Sequence, residues 1–267
     1  MHGHPTRGVL PRHVVLGIAL GVMGVLFAAH AHAQQNPDVK ACAEKQGDEA
    51  IVACTRAIES KDPKIRLDHV YFNRAVEWSG QGKHDFAILD YGRALKINPK
   101  YAEAYNYRGN AYRRKSEWKL ALADYNEAIK VNPKEGRYYR NRANTHRDLR
   151  DYSSALADYN EASRLDPKDA GAIDGAAWVL ATAPDAKLRD AKRAIALATK
   201  ACEMTQWKKG SYVDTLAAAY AEDGNFAEAV RRQEQALADA EFEKSEGTSA
   251  RARLKAYRER RPIRLKM

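Results

Sequence analysis

Three arginines and three aspartates recur at one spacing. Arg74, Arg108 and Arg142 lie 34 residues apart, and so do Asp90, Asp124 and Asp158. A guanidinium can hold a carboxylate through two parallel hydrogen bonds, so the chemistry these residues offer is ion pairing. A catalytic carboxylate is needed once, whereas one carboxylate per repeat argues for a framework. We expect one Arg–Asp pair per repeat, setting register more than adding stability. The alternative is that the arginines line a binding groove. After position 33 there is no histidine pair at metal-ligand spacing, no His–Cys cluster, no glycine-rich phosphate loop and no serine in a G-x-S-x-G turn. The expectation is therefore a chain without enzymatic activity, cofactor or metal.

Cys42 and Cys54 are the other pair with chemical potential. They flank Gly47-Asp48, so they could face each other across a helical hairpin. A disulfide there would contribute about 3 kcal/mol by the loop-entropy model; the alternative is two buried thiols. Cys202 reads as a small buried residue on a helix.

The formal net charge is +10, but the first residues account for part of it. His2 to Arg12 is a basic stretch without acid, Val14 to Ala29 is apolar, and Ala31-His32-Ala33 supplies a small-x-small site. Together they predict a secretory signal peptide over 1–33, cleaved after Ala33, in a periplasmic or secreted protein. A retained membrane anchor is the alternative. Export also favours the Cys42–Cys54 disulfide.

The elements that must position these groups follow the same period. In the stretch Ala102 to Glu135, Tyr105, Gly109 and Tyr112 share one helical face, and Ala121, Tyr125, Ala128 and Ile129 share a second. Asn132-Pro133-Lys134 stops the second helix, because proline cannot continue it. Pro99, Pro133 and Pro167 repeat that stop. A fixed period of this length means stacked units.

The pattern resembles the tetratricopeptide repeat. One copy runs Tyr71, Ala75, Trp78, Ala87, Tyr91, Pro99; the next runs Tyr105, Gly109, Tyr112, Ala121, Tyr125, Pro133; the third runs Tyr139, Ala143, His146, Ala155, Tyr159, Pro167. Arg74, Arg108 and Arg142 stand where the family usually has leucine. The resemblance implies an all-α, right-handed superhelical solenoid of antiparallel helix pairs. Repeats are expected at 68–101, 102–135, 136–169 and 210–243. A divergent pair is expected at 38–64 and another, with an insertion, at 170–207. Residues 244–267 would form a basic helix and tail that cap the array. That last segment holds nine Lys or Arg against Glu246 and Glu259, and we expect a helix over Arg251 to Arg261 ended by Pro262.

In such repeats the first helix of each pair lines a concave face that receives partner peptides. The resemblance places Phe72, Val76, Asn106, Asn110, Arg113, Arg137, Arg140, Asn144 and Arg147 on or near that wall. A basic and amide-rich wall suits a protein or peptide partner with an acidic stretch or a free C-terminus. Some family members hold chaperone C-termini in a clamp of lysines, asparagines and an arginine. Asn110 and Asn141 fall where two clamp asparagines would, but Gly171 and Gly175 occupy the places of its basic residues, so the resemblance does not imply that activity. The expected function is a protein-interaction scaffold of the bacterial envelope. The alternative is a surface-anchoring protein that binds anionic lipid or polymer through 244–267. Nucleic acid is not an expected partner, and the residues leave the oligomeric state open.

Overall fold

The computed structural model describes residues 36–266. The expected signal peptide therefore lies outside the described residues. The described chain is all helical, with thirteen α-helices and no strand. They form six antiparallel pairs and a closing helix. The pairs are α1 (Pro37–Glu44) with α2 (Gly47–Glu59), α3 (Leu67–Gly80) with α4 (His84–Ile97), and α5 (Ala102–Arg114) with α6 (Trp118–Val131). They continue with α7 (Gly136–Asp148) and α8 (Tyr152–Leu165), α9 (Ala170–Thr182) and α10 (Ala191–Met204), and α11 (Gly210–Glu222) and α12 (Phe226–Leu237). The closing helix is α13 (Ala240–Arg258).

The first four pairs stop the same way. Asp62, Asn98, Asn132 and Asp166 each precede a proline, and each accepts the backbone N–H two residues on, from Lys64, Lys100, Lys134 and Lys168. This side-chain turn closes the helix that the proline cannot extend. Small residues allow the two helices of a pair to approach. Ala75, Gly109, Ala143 and Ala177 occupy one column, and all four are buried. A Cβ on Gly109 would come within 2.8 Å of the Tyr125 ring, so glycine there makes room for the tyrosine. Tyr91, Tyr125 and Tyr159 fill the same core position in successive pairs and are wholly buried.

Cys42 and Cys54 form a disulfide with a Cα–Cα distance of 4.7 Å, which ties α1 to α2 at the end of the array. Cys202 is a buried free thiol whose pKa is pushed up to about 12, mainly by burial. The insertion between α9 and α10 holds a short 3₁₀ turn, Ala186–Leu188. The closing helix begins earlier than expected from the basic run and ends before Arg261. Asp239 caps its start by accepting the N–H groups of Glu241 and Phe242. Its end is fixed by Arg260, which is left-handed at φ 54°, while Arg261 donates its N–H to the Ala256 carbonyl at 2.9 Å.

Candidate functional site: the inner wall of the helix pairs

The recurrent ion pairs belong to the scaffold. Arg74 bonds Asp90 at 2.7 and 3.1 Å, Arg108 bonds Asp124 at 2.8 and 2.7 Å, and Arg142 bonds Asp158 at 2.7 Å through both nitrogens. Each arginine also lies near a tyrosine ring of its own helix: Tyr71, Tyr105 or Tyr139. Burial pushes the Asp124 carboxyl above its ordinary range, and the Arg108 bond only partly offsets that. Each pair joins the two helices of one repeat.

The inner-wall residues split into several roles. Phe72 sits in an aromatic group with Tyr91, Tyr101 and Tyr107, at centroid distances of 5.7, 4.9 and 5.4 Å. Asn106 is only 3% exposed and accepts a bond from the Asn141 amide at 2.8 Å, so it supports the wall from behind. Asn110 accepts the Tyr125 hydroxyl at 2.8 Å, and Asn144 accepts the Tyr159 hydroxyl at 2.6 Å. Arg113 pairs with Asp148, Arg137 with Glu135 and Arg140 with Asp169. Arg147 faces Tyr159 and Asp174 and draws both pKa values down against the upward push of burial.

A cleft of about 620 Å³ opens where α3, α5 and α7 face one another. Its lining includes Val76, Ser79, His84, Tyr91, Tyr107, Asn110, Arg113, Arg114 and Asn141. Of the expected wall residues, Val76, Asn110 and Arg113 line it. Phe72 packs behind it against Tyr91 and Tyr107, and Arg137, Arg140, Asn144 and Arg147 are not part of its lining.

One polar group in this cleft breaks the pattern of the array. Tyr125 and Tyr159 give their hydroxyls to Asn110 and Asn144, but the equivalent position in α3 is Val76. The Tyr91 hydroxyl is buried without a hydrogen-bond partner, and so is Nδ1 of His84, also in the cleft lining. A buried polar atom without a partner carries a desolvation cost that a bound group can remove. The sequence held this signal: Val76 interrupts the column of Asn110 and Asn144. His84, Ser79, Arg114 and Tyr107 carried no comparable mark.

One of the two clamp positions, Gly175, has a packing explanation. A Cβ on Gly175 would come within 2.5 Å of the Tyr159 ring, so a basic side chain there would displace a core tyrosine.

Farther along, the wall is covered. Arg253 of α13 bonds Asp214 of α11 at 2.8 Å and lies 5.8 Å from the Trp178 ring centroid. Arg251, Arg258, Arg261 and Arg264 of the basic C-terminal stretch also pair with carboxylates of this chain. Asp174, on α9, has an unpartnered Oδ1 and a pKa pushed up to about 7 by burial. Among the described residues no group of three or more His, Cys, Asp or Glu side chains could hold a metal ion, and no helix is long and apolar enough to cross a membrane.

Family profiles described as TPR repeat or tetratricopeptide repeat match residues 80–116, 102–135 and 136–169. A curated relative is the small glutamine-rich tetratricopeptide repeat-containing protein 2 of Mycosarcoma maydis, 42% identical over 73 residues, or 27% of this chain. The chain spans about a fifth of that relative's length, 20%. Among solved structures, the chain is similar to YrrB, a TPR protein with an unusual peptide-binding site. Identity is 21%, the TM-score is 0.57, and the match covers 76% of this chain and 98% of that one. It is also similar to MamA at 18% identity and a TM-score of 0.55, covering 68% and 95%. Yeast Tom70 matches at 19% identity and a TM-score of 0.58, covering 80% and 44%. At these identities the structural likeness concerns the fold.

Proposed function

Because this chain is a tetratricopeptide-repeat protein, we propose that it is a protein-interaction scaffold whose partner segment lies in the cleft between α3, α5 and α7. The observation that carries this reading is the unpartnered Tyr91 hydroxyl, buried in the cleft lining where its counterparts are capped by asparagine. The aromatic group beneath it supplies apolar contact, and such groups dominate the energetics of protein interfaces. Arg113 and Arg114 at the rim favour a partner with carboxylates and set its rate of approach. The compartment we propose is the bacterial envelope or beyond, on the leader pattern over 1–33 and on a disulfide, which persists in oxidising surroundings.

Two substitutions test the cleft without touching the scaffold pairs. Val76→Asn copies the Asn110 arrangement and caps Tyr91. Tyr91→Phe removes the hydroxyl and with it a desolvation penalty, so stability should hold or rise slightly. A photocrosslinker at Asn110 should capture a partner segment in cells, and both substitutions should reduce the yield several-fold. Unchanged capture in both variants would remove the cleft from the reading.

A further inference from the structure

The segment after α13 does not run off into solvent. Pro262 keeps it extended, and residues 262–266 lie back along the turn ends of the preceding pairs. Ile263 packs against the clusters that hold Leu180, Ala181 and Ala218 and, next to them, Ala217, Ala221 and Tyr257. Leu265 packs against the cluster that includes Tyr152, Val179 and Ala183. Leu265 donates its backbone N–H to the Thr182 carbonyl at 2.8 Å, and the Tyr152 hydroxyl donates to the Lys266 carbonyl at 2.9 Å. Between the two aliphatic residues, Arg264 pairs with Glu222 at 2.6 Å.

The wall is built to receive this segment. The positions of Arg113 and Arg147 are taken in α9 and α11 by Ala181 and Ala221, so a cationic wall becomes a shallow apolar one. Residues two apart on an extended chain point the same way, which puts Ile263 and Leu265 on one face. Thr182 ends α9, and its carbonyl is one of those a helix leaves free. Backbone readout by Thr182 and Tyr152 does not depend on the side chains of the ligand; selection rests on the apolar wall and on Glu222.

The hold on the segment is modest. Ile263 and Leu265 are only partly buried, and Arg264 and Lys266 are exposed. Ordering an extended stretch costs backbone and side-chain entropy at every residue, which offsets part of what these contacts contribute. We propose that this wall is a second peptide-binding site, which takes from a partner an extended segment of aliphatic–basic–aliphatic pattern. Residues 263–265 are its resident occupant. Tethering gives them a high effective concentration, so they compete with any partner in trans.

The test uses the full chain and a fluorescein-labelled, amidated peptide of residues 259–266. In the full chain, Ile263→Asp with Leu265→Asp releases the resident segment. This variant should bind the peptide at least tenfold more tightly than the unchanged chain, by fluorescence anisotropy. Adding Glu222→Gln should weaken that binding several-fold, and a scrambled peptide of the same charge should not bind. Arg264→Glu is a gentler release that leaves the apolar contacts in place, and it should show the same direction with a smaller gain. Equal binding by released and unchanged chains overturns the proposal. So does binding of the scrambled peptide, or no binding by either released variant when its helicity and melting are unaltered. Tyr91→Phe, in the other cleft, should leave all of these values unchanged, which separates failure of this site from failure of that one.

Discussion

The pairs α3/α4 to α7/α8 and the pairs α9/α10 and α11/α12 share one outline, yet their interiors use different chemistry. In the first group each pair is crossed by an arginine and an aspartate. In α9/α10 the same positions hold Ala176 and Leu197, and in α11/α12 they hold Leu216 and Arg232. Arg232 turns away to the Trp207 ring, 4.8 Å from its centroid. The inner wall changes alongside: Asn110 and Asn144 give way to Trp178, and Arg113 and Arg147 to Ala181. What both regions keep is the column of small buried residues Ala75, Gly109, Ala143 and Ala177. Close approach of the helices is thus the common requirement, and the cross-link between them can be ionic, apolar as in α9/α10, or a single buried hydrogen bond, as from Gln233 to Asp214 in α11/α12. The ionic region leaves an open cleft with unpartnered polar atoms. The apolar region is covered by α13 and the segment after it.

The largest expected effect comes from converting one interior into the other. Arg108→Ala leaves the Asp124 carboxylate, 5% exposed, without its partner. It should cost about 3 kcal/mol, the low end for a buried pair because Arg108 keeps some contact with water. Replacing both residues, Arg108→Leu with Asp124→Leu, imitates the apolar pairs and should be close to neutral. Urea unfolding followed by circular dichroism measures both. If the single change were as mild as the double, the two interiors would not differ in kind.

Much of the ionic region was legible in the sequence because its chemistry keeps the repeat period. Arg108 and Asp124 announce each other by recurring together, and Cys42 and Cys54 by closing a short hairpin. The fate of the inner-wall arginines was not legible. Arg113 reaches Asp148 in the next repeat, a pairing that no single repeat unit contains, and Arg140 reaches Asp169, the residue that caps the start of α9. The covered region was harder still. Tyr152 meets Lys266 across 114 residues of chain, and a contact formed once has no period to betray it. The basic composition of 244–267 suggested a charged surface, whereas the structure engages many of those arginines in ion pairs within the chain.

A smaller effect lies where the two regions meet. Asp174 of α9 faces Arg147 from α7 and Thr215, Asp214 and Lys209 on the other side. Burial is the main cause of its pKa of about 7, Asp214 adds to it, and Thr215, Arg147 and Lys209 oppose it. The folded chain therefore holds a proton that the unfolded chain releases near the ordinary carboxylate pKa. Stability from this group should fall as pH rises from about 4 to about 7 and then level off, by about 1–2 kcal/mol once its partial contact with solvent is allowed for. Asp174→Asn should flatten that part of the melting profile against pH. A profile of unchanged slope would mean that Asp174 is ionised throughout, paired with Arg147.

The smallest effect concerns the turns that join the helices of each pair. Gly82, Ser116 and Arg150 occupy one position, at φ of 74°, 59° and 66°, and Gly224 closes the turn of α11/α12 at 80°. A left-handed backbone strains a residue with a Cβ by roughly 1–2 kcal/mol, while glycine adopts it freely at some cost in unfolded-state entropy. Ser116→Gly should therefore raise stability by about 0.5–1 kcal/mol, and Gly82→Ser should lower it by a similar amount. Thermal melting of the two variants reads both. Gly82 lies at the rim of the open cleft, and a Cβ there would meet nothing within 4 Å, so its loss should act through the backbone alone. Opposite shifts of similar size would show that the turn conformation is intrinsic to the repeat, whichever interior it encloses. If instead Ser116→Gly destabilises, the serine hydroxyl supports the α5/α6 turn, and the strain at that position is offset locally.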